Sequence, residues 1–185
     1  MRVSDRARDD QFRSYVLEAR EGMVRTATLL TAGDAYEAED LVQTVLLRLY
    51  LSWPKIRPES RAAYVRKMLV NAHVDERRRP YARKEHNQAD VPEVAVEPAT
   101  PPDTNEAVFR ALADLPPRMR AAVVLRHIHD ASVAETADAL GCSEGNVKSQ
   151  TARGLTQLRE ALTELSREVG DHAVADQPEK RVANE

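Results

Sequence analysis

The chain has 185 residues, 42% of them hydrophobic and 31% charged, which fits one or two small soluble domains. No apolar run approaches the ~20 residues of a membrane span. The opening MRVSDRARDDQF carries no apolar signal segment, and the single cysteine, Cys142, permits neither an internal disulfide nor a cysteine cluster for zinc. A cytoplasmic protein without membrane contact is therefore expected. The formal net charge of −3 argues against a free-standing binder of duplex DNA, because phosphate neutralisation supplies much of such a protein's affinity.

From about Asp10 to Arg79 the pattern is helical. Phe12, Tyr15, Val16, Met23, Ala27 and Leu30 recur at helical spacing. Gly33 ends that helix and Asp34 caps the next, whose first turn holds Glu37, Glu39 and Asp40 where the helix dipole favours acids. Leu41, Val42, Val45, Leu46 and Leu49 make its wide apolar stripe. Trp53-Pro54 stops it, since a residue before proline avoids helical angles. After a loop at Lys55–Ser60, RAAYVRKMLVNAHVDERRR reads as a third helix with Tyr64, Met68, Leu69 and Ala72 inward and its arginines outward.

Charge is segregated along the chain. Residues 61–84 hold eight basic side chains against two acids, whereas 87–106 hold five acids and no Lys or Arg. The stretch from Pro80 to Asp103 has five prolines and no periodicity, and is expected to be a flexible, extended linker between two domains. Beyond it, NEAVFRALADL is a helix ended by Pro116-Pro117, and RMRAAVVLRHIHD is the next. Ser132 and Glu135 form a capping box for a third, Gly141 closes it and Ser143 caps a fourth, reaching about Ser166. No strand pattern appears, so the expected fold is all-α: two small helical domains at 8–82 and 104–169, joined by an acidic linker at 83–103 and followed by a disordered tail at 170–185.

The stretch from Ser132 to Leu155 has the spacing of a helix-turn-helix. With Val147 inward, Thr151, Leu155, Leu158, Leu162 and Leu165 share its side. The opposite face presents Gly145, Asn146, Ser149, Ala152 and Arg153, flanked by Lys148 and Gln150. Small residues allow close approach to a major groove, and the polar and cationic ones bond base edges or phosphates. An ordinary helical hairpin with a solvated polar face would show the same pattern.

Three segments, in order, resemble bacterial sigma factors. DAYEAEDLVQTVLLRLYLSW resembles their region 2.2, AYVRKMLVNAHVDERRR regions 2.3 and 2.4, and LADLPPRMRAAVVLRHIHDASVAETADALGCSEGNVKSQTARGLTQLRE region 4. Nothing resembles region 1.1 or region 3, so the likeness is to the extracytoplasmic-function, or group 4, sigma factors of the sigma-70 family. The end of the recognition helix is similar to the sigma-E-like branch of actinobacteria. The resemblance implies a factor that binds core RNA polymerase and directs promoter-specific initiation. Asp40, Leu41, Val42, Gln43 and Arg48 would meet the beta-prime clamp helices, and the region 4-like half the beta flap. Lys55, Arg57, Arg61, Arg66, Lys67, Asn71, Arg77 and Arg78 would hold flipped minus-ten bases, with Asn71 where the family's motif has an asparagine. Asn146, Lys148, Ser149, Gln150, Ala152 and Arg153 would read the minus-thirty-five element. Gln150, Thr151, Ala152 and Gly154-Leu155 depart from the commoner pattern, so the family's promoter sequence does not carry over. The acidic linker would thread the basic RNA-exit path, and an anti-sigma factor would clamp the same faces. A solvated helix face is the competing reading of the arginines, and a solvated tether that of the linker.

No cofactor, metal site or catalytic set is expected. The five histidines are scattered, and His127 and His129, two apart on a helix, point to different sides. Cys142 reads as a small buried residue at the helix turn. The alternative function is a stand-alone helix-turn-helix regulator whose first half dimerises or senses a ligand; a third is an interaction protein with degenerate DNA surfaces.

Overall fold

The computed structural model describes residues 3–77 and 104–175. The linker expected at 83–103, Arg78 and residues 176–185 lie outside the described residues. Among those described, every element is helical: α1 Val3–Leu30, α2 Ala35–Ser52, α3 Arg61–Arg77, α4 Thr104–Ala113, α5 Pro117–Val123, α6 Val133–Leu140 and α7 Glu144–Ala175. None of the helices described is long and apolar enough to cross a membrane. Two limits differ from the sequence reading. α1 starts seven residues before Asp10, and α7 runs past 169 to Ala175, with no proline before either limit to stop it.

The first half is α1, α2 and α3. Ala32 and Gly33, both at positive φ, turn the chain out of α1, and Asp34 caps α2 by accepting from the Glu37 N–H at 2.8 Å. Leu41, Val42, Val45 and Leu49 are buried against Met23, Ala27 and Leu30 of α1 and Val65, Leu69 and Val70 of α3. At the far end Phe12 meets the Tyr50 and Trp53 rings edge-on, with centroids 5.1 and 5.2 Å apart.

The second half is α4 to α7. α5 opens at Pro117, where a missing N–H costs nothing. It then widens into a π turn at Val124–Ile128, closed by the His129 N–H on the carbonyl of Val124, five residues back. Asp130, at φ 49°, reverses the chain, and the Ser132–Glu135 capping box forms in full, with bonds of 2.7 and 3.1 Å. Gly141 closes α6 at φ 60°.

The halves are packed on each other. One continuous core runs from Met23, Leu30 and Leu69 into Ala121, Ala122, Val124, Leu125, Ala139 and Leu140. A second cluster joins Leu29 and Ala32 to Leu112, Leu115 and Val123. Gly33 lies so close to the Phe109 ring that a Cβ there would sit 2.9 Å from it.

Candidate functional site

In the helix-turn-helix, Val147 anchors α7 with 1% exposure, while Thr151, Leu155, Leu158, Leu162 and Leu165 are half-buried on the same side. The Ser143 hydroxyl accepts from the Asn146 N–H at 3.2 Å and caps α7. Asn146, Lys148, Ser149, Ala152 and Arg153 are exposed on the outer face. Gln150 is half-buried and donates from Nε2 to the Asn146 Oδ1 at 3.1 Å, so these two amides form one oriented pair. Gly154 is buried against α5, where a Cβ would sit 2.7 Å from Val123 Cγ2 and 3.0 Å from Met119 Cγ. Its lack of a side chain sets how closely α7 lies on α5.

The basic residues of the first half divide into two environments. Lys55 and Arg57 are exposed in the short turns between α2 and α3. Arg61 is half-buried, with its guanidinium 3.8 Å from the Trp53 ring centroid and 6.0 Å from that of Tyr15. This sequence-predicted DNA contact is tied up in a structural stack. Further along α3, Arg66, Lys67 and Asn71 are half-buried, and the Lys67 Nζ lies 2.7 Å from the Asp138 Oδ2 of α6. Arg77 ends the helix. Tyr64, expected inward, is 38% exposed on the first turn of α3; Val65, next to it, takes the inward position instead.

On α2, Leu41 and Val42 are buried at 2% and 0% exposure. Their side chains hold the helix to its neighbours and leave no surface for a partner, so they drop out of the expected polymerase contacts. Asp40, Gln43 and Arg48 are exposed. Tyr36, Leu47 and Leu51 join them, at 90%, 64% and 71% exposure. Positions 36, 40, 43, 47 and 51 step three or four residues at a time, which makes one outward stripe. Sequence reasoning missed its apolar members, although Leu47 and Leu51 fall off the core periodicity and are marked by that alone.

Two further residues escaped the sequence reading. Arg120 is 4% exposed and donates to the carbonyls of Leu30 at 2.8 Å, Ala113 at 3.1 Å and Leu115 at 3.2 Å. Its one visible sign is a cation inside the apolar run RAAVVL. His129 Nε2 lies 2.9 Å from the Thr26 hydroxyl of α1. That hydroxyl donates to the Gly22 carbonyl at 2.8 Å, so the bond to His129 takes its proton from the ring Nε2. Burial, then the nearby Arg66 charge, push the His129 pKa below its ordinary 6.5, against a smaller pull from Asp130. His73 is buried 4.0 Å from Glu37, a core histidine. Among the described residues, no group of three or more His, Cys, Asp or Glu is placed to hold a metal.

Comparison with known proteins matches the arrangement twice over. The model of sigma-70 region 2 covers residues 6–83 and that of sigma-70 region 4 covers 105–158. The RNA polymerase sigma-E factor of Streptomyces coelicolor is 36% identical over 177 residues, 94% of this chain and 97% of that protein. The ECF RNA polymerase sigma factor SigE of Mycolicibacterium smegmatis is 31% identical over 182 residues, 92% of this chain and 69% of that protein. The solved structure of the sigma factor RpoE in complex with the anti-sigma factor NepR from Bartonella quintana shares the fold, with a TM-score of 0.65 at 24% identity, over 83% of this chain and 97% of that one. With a region 2 half, a region 4 half and the Streptomyces coelicolor relative matched almost end to end, the chain belongs to the sigma-70 family of RNA polymerase sigma factors, in its extracytoplasmic-function group.

Proposed function

We propose that the chain is a transcription initiation factor that joins core RNA polymerase and directs it to promoters with defined minus-ten and minus-thirty-five elements. The observation that carries this reading is the pairing of a basic helix, α3, with an exposed polar recognition helix, α7, in region 2 and region 4 units of one chain. The protein acts by binding, without catalysis of its own, in the cytoplasm where the polymerase is. The half at 8–82 takes core polymerase and the minus-ten element; the half at 104–169 takes the minus-thirty-five element and the beta flap.

On the polymerase side, the outward stripe of α2 suits a partner helix such as the beta-prime clamp helices. Leu47 and Leu51 give apolar contact while Asp40, Gln43 and Arg48 fix register. On the minus-ten side, Lys55 and Arg57 with Arg66, Lys67, Asn71, Arg77 and Arg78 supply a cationic grip on a separated strand. On the minus-thirty-five side, Lys148 and Arg153 grip phosphate or guanine edges, and the Asn146–Gln150 pair and Ser149 face the groove. An anti-sigma factor would act by covering the α2 stripe.

Run-off transcription from promoter fragments with purified core polymerase tests the reading. A promoter-specific transcript that appears only when the protein is added is expected, and none above core alone would sink it. A stand-alone regulator would instead bind a palindromic duplex tightly without polymerase.

A further inference from the structure

We infer that Arg61 is a positioning residue for minus-ten recognition. Stacked on Trp53, it holds the Lys55–Ser60 loop in one shape, and that shape selects among the separated bases; Arg61 itself touches none of them. The inference deepens the proposed reading of this loop and α3 as the minus-ten surface, and rests on it.

The loop is held at few points. It leaves α2 at Trp53 and enters α3 at Arg61 through two short helical turns, Trp53–Lys55 and Pro58–Ser60. Pro54 and Pro58 stand near the start of each turn and fix φ there, so each turn keeps its own form. The backbone bonds stay inside the loop. The Ile56 N–H donates to the Trp53 carbonyl at 3.3 Å, and the Ser60 N–H to the Arg57 carbonyl at 3.0 Å. Ile56 packs against the core from the middle of the loop, while Lys55, Arg57, Glu59 and Ser60 are exposed.

Arg61 ties down the returning end. Its guanidinium lies 3.8 Å from the Trp53 ring centroid and 6.0 Å from that of Tyr15. Trp53 is 2% exposed and is wedged by Phe12, edge-on at 5.2 Å, and by Tyr15 at 5.1 Å. The residue that closes the loop is therefore clipped to the residue that opens it, through a ring seated in the core. The Arg61 Nε is buried without a hydrogen-bond partner, so ring faces hold this charge. A planar guanidinium lies flat on an indole, which a compact ammonium cannot do.

The clip bears on discrimination because a separated strand offers phosphates whatever its sequence. Lys55 and Arg57 grip any strand through those phosphates. Choice between bases depends on where the loop stands when the base arrives. A held loop accepts the base that fits and clashes with the others, whereas a slack loop adapts to either.

The test uses holoenzyme formed from the full chain and core polymerase. The probes are fluorescent single strands: the non-template strand of a promoter that gives a run-off transcript, and copies with one minus-ten base changed. Arg61→Gln and Arg61→Lys are both expected to narrow the affinity ratio of matched to changed strands roughly three- to tenfold. The changed strands should keep their affinity within about twofold, and the salt dependence should keep its slope. Trp53 is the only tryptophan of the chain, so its fluorescence reads the clip in the free protein. Acrylamide quenching is expected to rise in both variants while circular dichroism shows the helices kept. A direct phosphate contact would look different: Arg61→Gln would weaken every strand alike and lower the salt slope by about 0.7, and Arg61→Lys would restore both. That pattern would overturn the inference, as would unchanged discrimination in both variants or unchanged quenching. Absence of any promoter-specific transcript from wild type would instead overturn the functional reading and take the selecting role with it, while quenching in the free protein reports the stack in either case.

Discussion

Arg120 shows how one side chain does a job usually shared by several. Its guanidinium is buried yet surrounded by main-chain oxygens, so its charge is solvated by carbonyl dipoles. Arg120→Met keeps the volume and strands those carbonyls. We expect a loss of about 3 kcal/mol in a urea titration, and Arg120→Lys to recover less than half, because one ammonium cannot replicate a planar fork. A loss under ~0.5 kcal/mol would show that water takes over the carbonyls. His129 gives the molecule a pH dependence whose sign follows from its surroundings. Burial between the halves first and Arg66 second hold the ring pKa below 6.5, so the folded form prefers the neutral ring. Its contribution is fully present above pH 6.5 and is lost as the pH falls below that value and the unfolded form takes up a proton. Melting curves from pH 8 to 5.5 should show a steeper loss for wild type than for His129→Gln; parallel curves would remove His129 from the account.

At the scale of elements, the caps were the most legible part of the sequence. Asp34, Ser132 with Glu135, Gly141 and Ser143 each act where their side-chain chemistry requires, because a cap is a local event decided within four residues. Which face of a helix is buried was less legible. Tyr64 and Arg61 exchanged the roles that their hydrophobicity suggested, since the Trp53 ring offers Arg61 a stacking surface that no pattern along α3 reveals. Leu41 and Val42 were assigned to a partner by resemblance, and their own periodicity already placed them inside. Gly154 is a packing residue within a helix. Alanine there gains up to ~1 kcal/mol of helix propensity but drives a methyl group into Val123 and Met119, costing about 1–3 kcal/mol. Gly154→Ala should therefore lower the melting temperature by a few degrees and Gly154→Leu by more; a rise for both would show that α7 can lift away freely. On the outer face of the same helix, Arg153→Ala should weaken minus-thirty-five recognition by about 1–3 kcal/mol with no change in melting temperature. Promoter footprints with holoenzyme on matched and scrambled elements measure it.

For the whole molecule, composition pointed to the class and missed the arrangement. The net charge of −3 is the average of a basic α3 and an acidic stretch after it, so the total says little about what any one surface binds. How the halves meet was not legible, for a physical reason. The Arg120 bond across the join ends on a backbone carbonyl, and every residue has one, so no side-chain pattern marks the acceptor. The ion pair between Lys67 and Asp138 joins residues 71 positions apart, and no periodicity connects them.

The π turn at Val124–Ile128 adds a last consequence. It holds one more residue in its hydrogen-bonded turn than the helix it continues, and His129, the reversal at Asp130 and all of α6 follow directly from it. Removing one residue from the turn would let it wind back to an ordinary helix, and because the wide turn itself takes up the surplus, His129 and α6 would keep close to their present direction. Removing one from the regular turns of α5 instead would rotate everything after it by about 100°, turning His129 from Thr26 and Asp138 from Lys67 while the recognition helix kept its own sequence and caps. The wide turn is where the join between the halves tolerates a change of length.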